Sequence, residues 1–276
     1  ISACLVGSEM CIRDRDRAVF EPRAEGHFAA TALGRGPWDP HALHGGASAA
    51  LLMRAFEQLP SVEGLSLARV TYELLRPVPL AELSLKAQVV RPGRRVQLLE
   101  GSLATLDGTE VVRARALRIR RAELDPSRTT EVPPPPPGPE TGEERPPAFT
   151  APQSPTFFPD AIEIRFVSGG FGGGPATGWF HLKVPLVAGE QLSPLQQLAA
   201  AADFGNGIST LLDWDEHLFI NPDLTLYLDR EPVGEWVGLE ARTLISSGGV
   251  GTAESVLYDQ RGRVGRALQA LLIAPR

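Results

Sequence analysis

LARVTYELLRPVPLAELSLKAQVV (Leu67–Val90) and NPDLTLYLDREPVGEWVGLEARTL (Asn221–Leu244) decide the fold. Shifted by 154 positions, Leu67–Ile119 overlays Asn221–Ile273 without a gap, and 12 of the 53 pairs are identical. Thr71/Thr225, Leu74/Leu228, Arg76/Arg230, Leu85/Leu239, Ala87/Ala241, Gly108/Gly262 and Leu117/Leu271 are among them. A period this long is a duplicated domain, not a solenoid. The patterning predicts strands at Leu67–Leu75, Glu82–Val90, Val96–Leu106 and Thr109–Arg120. The second unit repeats them at Leu224–Asp229, Trp236–Ile245, Gly251–Tyr258 and Arg263–Ile273. Turn signals at Pro92-Gly93 and Asp107-Gly108 separate strands of the first set.

A helix precedes each set. In HGGASAALLMRAFEQL (His44–Leu59), Leu51, Leu52, Ala55, Phe56 and Leu59 share one face. The second begins at Ser193-Pro194, a cap and first-turn pair, and is predicted through LSPLQQLAAAADFGNGISTLLDW (Leu192–Trp214). The helices overlay with ASAALL (Ala47–Leu52) on GISTLL (Gly207–Leu212). Two long helices, each wrapped by antiparallel strands in one continuous or paired sheet, make an α+β fold.

Between the units, Asp125–Gln153 holds ten prolines in 29 residues, including Pro133–Pro137. Proline lacks an amide donor, so this stretch reads as a polyproline II connector that joins no sheet or helix. The expected divisions are residues 1–15, 16–124, 125–153 and 154–276. The first, ISACLVGSEMCIRDR, resembles a translated sequencing adaptor, which puts the native start near Arg15 to Ala18. It holds both cysteines, Cys4 and Cys11, so the remainder offers no thiol chemistry.

The 276 residues carry a net charge of −6, which disfavours a nucleic-acid partner. No apolar run reaches the ~18 residues of a membrane span. Five histidines in no zinc-like spacing argue against a metal centre. FVSGGFGGGPATG (Phe166–Gly178) lacks the lysine of a phosphate loop and reads as a flexible connection.

Polar groups in apolar surroundings mark candidate chemistry. Asp203 sits among alanines, and Gln269 among Leu268, Ala270 and Leu271. Asn221 opens a strand, where Asn-Pro is also a turn signal. Their overlay partners are Leu43, Arg115 and Leu67, so the Asp-Asn-Gln set belongs to one unit only. Gly45 and Gly46 open the first helix, where exposed amides and the helix dipole favour an oxyanion. Tight helix packing is the other reading of those glycines. His44 reads as a wall of the substrate mouth or a helix cap, with a general-base role left open. Arg76 and Arg230 read as structural ion pairs, with contact to phosphates of the substrate as the alternative.

HGGASAALLMRAF, ADFGNG (Ala202–Gly207), FINPDLTLYLDREPVGEWVGLEA (Phe219–Ala241) and GRVGRALQALL (Gly262–Leu272) resemble the TesB-like acyl-CoA thioesterases, most closely the actinobacterial type. The resemblance implies a double hotdog and a cytoplasmic enzyme that hydrolyses a fatty or other acyl-CoA without a cofactor. It implies that Asp203 and Gln269 position the attacking water. The family's threonine falls on Asn221, a departure, and Asp223 on the same strand is a possible stand-in. Gly46 is the expected oxyanion donor. His44 and Gly45 are expected at the substrate mouth, with Leu43, Phe204 and Ile208 lining an acyl channel between the helices. The alternatives are a non-catalytic acyl-CoA or lipid-binding module and, less favoured, a hydratase using Asp203 and His44. Association into a homodimer or larger assembly through sheet edges is also expected.

Overall fold

The computed structural model describes residues 18–130, 134–146 and 154–276. The adaptor-like leader with both cysteines, Pro133 and residues 147–153 lie outside them.

Strands β1 (Phe20–Pro22) and β2 (His27–Ala30) lead to helix α1 (Gly45–Gln58). Strands β3 (Leu65–Leu74), β4 (Glu82–Arg91), β5 (Val96–Thr105) and β6 (Glu110–Arg120) complete the first unit. The second contains β7 (Ile162–Ser168), β8 (Ala176–Leu182), α2 (Pro194–Ala202) and α3 (Gly205–Ser209). It ends with β9 (His217–Ile220), β10 (Asp223–Leu228), β11 (Val237–Ile245), β12 (Val250–Asp259) and β13 (Gly262–Pro275). All thirteen strands form one sheet in the order β1-β2-β4-β5-β6-β3-β10-β13-β12-β11-β8-β7, with β9 paired to β13.

The sequence repeat is visible in this order, because each unit runs outward from its central strand in the same way. The units join where β3 and β10 pair antiparallel, with Thr71 opposite Thr225. Those two residues are also overlay partners, so a pseudo-two-fold axis passes between them. Their hydroxyls meet at 3.2 Å. Buried faces of α1 (Ala47, Leu51, Leu52, Met53, Phe56) and α2 (Leu198–Ala202) cross inside the curve of the sheet. Arg118 turns inward and its guanidinium donates to the Phe56, Leu59 and Pro60 carbonyls. It thereby caps the C-terminus of α1.

Three sequence expectations need correction. The second helix is not one long rod: α2 ends at Ala202, and Asp203 and Phe204 carry ψ of −9° and −6°. Gln269 enters the break, where its Nε2 donates to the Asp203 carbonyl (3.2 Å) and its Oε1 accepts from Asn206 N (3.1 Å). A side chain inserted in the amide ladder is a recognised cause of a kink.

The overlay partners of two site residues also change. The helix N-caps are His44 and Ser193, 149 positions apart, so Asp203 corresponds to Arg54 in α1, not to Leu43, which precedes the helix. Within the sheet, β13 slips by one residue relative to β6, since Leu99 faces Ala116 but Ala253 faces Gln269. A one-residue slip exchanges the two faces of a strand. Gln269 therefore matches the buried Ala116, while Arg115 points outward and pairs with Glu100.

The proline-rich stretch is not wholly separate from the sheet. Glu143, which keeps its amide, makes a bridge to Phe166 of β7, and Trp179 Nε1 donates to the Pro137 carbonyl at 2.7 Å.

Candidate active site

The α1–α2 crossing sets the site. A Cβ on Gly46 would lie 2.4 Å from the Ala200 carbonyl oxygen, so only glycine permits this approach. A Cβ on Gly45 would lie 2.6 Å from Asp203 Oδ2. The packing reading of these glycines therefore holds, and it brings the N-terminus of α1 against the break after α2. At this crossing the helices are in direct contact.

Asp203 is the convergence point, and its side chain is only 5% exposed. Its Oδ1 accepts from Asn221 Nδ2 at 2.8 Å and from Gln269 Nε2 at 3.2 Å. Its Oδ2 lies 3.1 Å from His44 Nδ1. The imidazole is stacked on Phe204, with ring centres 4.4 Å apart. Gly46 N donates to the same Nδ1 at 3.0 Å, so the Gly46 amide faces the histidine and not an open cavity. A ring nitrogen either accepts or donates. With Nδ1 bare, it accepts the hydrogen bond from the Gly46 amide; with Nδ1 protonated, it donates to Asp203 and the Gly46 amide loses its acceptor. Gly45 opens α1, where amides lack intrahelical acceptors.

Behind Asp203 lies a polar layer that the sequence reading missed. Asn206 is buried, and its Nδ2 donates to the Phe219 carbonyl at 3.1 Å. Ser209 and Thr243 hydroxyls meet at 2.8 Å next to it. The signal in the sequence was an asparagine between two glycines in ADFGNG, a polar residue with no reason to be in an apolar helix.

A cavity of about 420 Å³ opens in front of this cluster. His44, Gly45, Asp203, Asn221, Leu43 and Phe204 all line it. Trp38, Val78, Phe158 and Phe219 extend its apolar wall. Of the expected residues, Gln269, Gly46 and Ile208 do not line it. Gln269 supports Asp203 from behind, and Ile208 is a fully buried core residue. Asp223 takes no part: its Oδ1 accepts from Ala270 N at 2.7 Å. Among the described residues no cluster of three His, Cys, Asp or Glu side chains is arranged to hold a metal, and no helix is long and apolar enough to cross a membrane.

The two arginines kept by the duplication differ. Arg230 grips buried Asp259 through two 2.5 Å contacts. Burial pushes the Asp259 carboxyl upward, but Arg230 and the Val233 and Arg261 amides hold it below the usual aspartate range. Arg76 lines the cavity and is exposed.

The site and the α+β sheet together define a class, a fold that sets a helix N-terminus and a buried carboxylate side by side at a cavity. Comparison with known proteins specifies it. The acyl-CoA thioesterase C-terminal domain model matches residues 129–273, and the N-terminal domain model matches residues 34–119. The chain belongs to the acyl-CoA thioesterase family. A search of curated proteins gives no match.

Among solved structures, a protein described as a candidate thioesterase from Novosphingobium aromaticivorans is 24% identical, with TM-score 0.65, over 92% of this chain and 98% of that one. A hotdog-fold protein from Alicyclobacillus acidocaldarius is 19% identical, with TM-score 0.69, over 96% and 98%. The acyl-CoA thioesterase II TesB2 from Mycobacterium marinum is 14% identical, with TM-score 0.61, over 97% and 98%. At these identities the structures establish the hotdog fold.

Proposed function

We propose that the chain is a double hotdog that hydrolyses acyl-CoA thioesters, with the single site at Asp203. The observation that carries this is the Asp203 carboxylate: one oxygen is held by two amide side chains, and the other faces His44 on a cavity wall. In this reading Asp203 takes a proton from water as the oxygen attacks the thioester carbonyl carbon. Asn221 and Gln269 fix the carboxylate and so fix the water. The asparagine replaces the family's threonine by binding the carboxylate through its amide.

Negative charge grows on the carbonyl oxygen as the tetrahedral intermediate forms. The Gly45 amide at the start of α1, on the cavity wall, meets it. Collapse breaks the carbon–sulfur bond. The thiol leaves with the proton that Asp203 holds, which regenerates the carboxylate. The substrate is an acyl-CoA, the acyl chain lies along the Trp38 and Phe219 wall, and the enzyme belongs to cytoplasmic lipid metabolism. The divisions at 16–124, 125–153 and 154–276 correspond to two hotdog units and their connector.

The test is coenzyme A release from a panel of acyl-CoAs. Asp203→Ala is expected to abolish it; equal rates in wild type and variant discard the mechanism. The 3.1 Å His44–Asp203 pair also favours a second reading, hydration of an enoyl thioester, and water addition to crotonyl-CoA without thiol release selects it. Saturable acyl-CoA binding with neither reaction selects a binding module.

A further inference from the structure

We infer that Arg76 is the anion-recognition residue of the cavity, and that it binds a phosphate or carboxylate carried by the substrate. The inference rests on the thioester reading above and names what that site recognises besides the thioester.

The duplication supplies the argument. Arg76 and Arg230 occupy the same place in the two units, after the central strands β3 and β10. Arg230 is consumed by structure: it pairs with Asp259 and also donates to the Gly262 carbonyl at 3.0 Å. The position that matches Asp259 in the first unit is Thr105, whose hydroxyl donates to Asp107 at 2.5 Å. The first unit therefore kept the arginine and lost its carboxylate. Among the described residues the Arg76 guanidinium makes no hydrogen bond or ion pair.

Backbone contacts then hold Arg76 beside the site. Leu74 N donates to the Pro222 carbonyl at 2.8 Å, next to Asn221. On the other side, Leu43 N donates to the Val78 carbonyl at 2.8 Å, next to His44. The segment carrying Arg76 is thus pinned between the two groups that flank Asp203, and all of it from Leu74 to Val78 lines the cavity. The other arginine on the wall, Arg35, donates to the Pro40 and Pro155 carbonyls. The cavity's carboxylates are Asp203 and Asp39, and Asp39 accepts from His41 N. On a chain of net charge −6, an exposed, unpaired guanidinium at the mouth is the group suited to an anionic ligand.

Steady-state kinetics of Arg76→Gln and Arg76→Lys test this with three substrates: a fatty acyl-CoA, the same acyl group on N-acetylcysteamine, and a dicarboxylic half-thioester of N-acetylcysteamine. The expected result for Arg76→Gln is a KM about tenfold higher on the acyl-CoA alone, with partial rescue by lysine and unchanged melting temperature. That result assigns the anion to the coenzyme phosphates. A rise confined to the dicarboxylic half-thioester assigns it to the acyl end. Unchanged KM on all three, with wild-type turnover intact, overturns the inference and leaves the hydrolase reading standing. If wild type hydrolyses none of them, tryptophan-fluorescence titration with free coenzyme A decides. Binding lost in Arg76→Gln keeps the inference without the hydrolase, and binding equal in both, or absent in wild type, ends it.

Discussion

The molecule contains the same helix crossing twice, with opposite outcomes. At one, the N-cap of α1 is His44, and it meets Asp203 beside a cavity. At the other, the N-cap of α2 is Ser193, which donates to Glu57 at 2.8 Å. There Arg54, the counterpart of Asp203, closes on Glu190 through two 2.5 Å contacts. Ser193 and Gln196 both donate to Glu57, Arg54 pairs with Glu190, and none of these side chains lines the cavity. Duplication made two equivalent places. One was sealed with an ion pair, which bears load, and the other kept a carboxylate whose second oxygen has only a histidine. The difference between a structural and a chemical crossing is thus a question of which groups are left unsatisfied.

Exchanging the caps gives the largest contrast. His44→Ala is expected to slow acyl-CoA hydrolysis about ten- to a hundredfold, since it removes the partner of the second Asp203 oxygen, a hydrogen bond to a charged group. Ser193→Ala removes a cap of the same helix class and is expected to cost ~1 kcal/mol of stability while leaving kcat within twofold. Thiol release under saturating substrate, paired with thermal melts, separates the two. A Ser193→Ala enzyme as slow as His44→Ala would erase the distinction.

Gly46→Ala probes how close the crossing must be. Its new methyl meets a backbone carbonyl, which cannot rotate away, and a cost of ~2–3 kcal/mol is expected from overpacking. Leu195, the matching position at the second crossing, already carries a large side chain. Chemical denaturation measures the difference, and a Gly46→Ala chain as stable as wild type would mean that the helices separate freely.

Much of this was legible in the sequence. The 154-residue offset placed the strands correctly, and Val96–Thr105 lands on Val250–Asp259 end to end. Asp203, Asn221 and Gln269 were identifiable as polar groups among apolar ones, and they do meet. What was not legible has physical reasons. The break after Ala202 depends on Gln269, 66 residues away, entering the amide ladder. The β13 slip is a pairing property that no single strand records, and it was enough to exchange Arg115 for Ala116 as the counterpart of Gln269. The His44–Asp203 pair depends on how closely two helices cross, which glycines permit but do not specify.

The arginine pair gives a stability contrast with a pH signature. Asp259→Asn is expected to cost ~2 kcal/mol at neutral pH, since it leaves Arg230 without its buried partner, at a site where the arginine is partly solvated. Asp259 titrates below its ordinary value in the fold. Its contribution is therefore fully present above the unfolded value and is lost as pH falls through the folded one. In urea melts the gap between wild type and variant should begin to narrow below about pH 4 and keep closing as pH falls through the lower folded value. A gap that persists in acid would mean that the aspartate acts through packing and not through charge.

The smallest effect tests the sealed crossing from within. Burial is the main cause that raises the Glu57 carboxyl above the glutamate range, against the lowering effect of its Gln196 and Ser193 hydrogen bonds. A raised folded value means that the fold prefers the protonated acid. This contribution is complete below the unfolded value, 4.5, and is lost as pH rises through the folded one. Glu57→Gln keeps an oxygen for Ser193 and Gln196 but cannot ionise. It should match wild type in acid and become the more stable of the two, by less than ~1 kcal/mol, at neutral pH. Hydrolysis should stay within twofold. Melting temperatures at pH 4 and pH 8 give the sign directly. If instead the variant lost hydrolysis while keeping its stability, the second crossing would be chemically active too, and the asymmetry between the halves would fail.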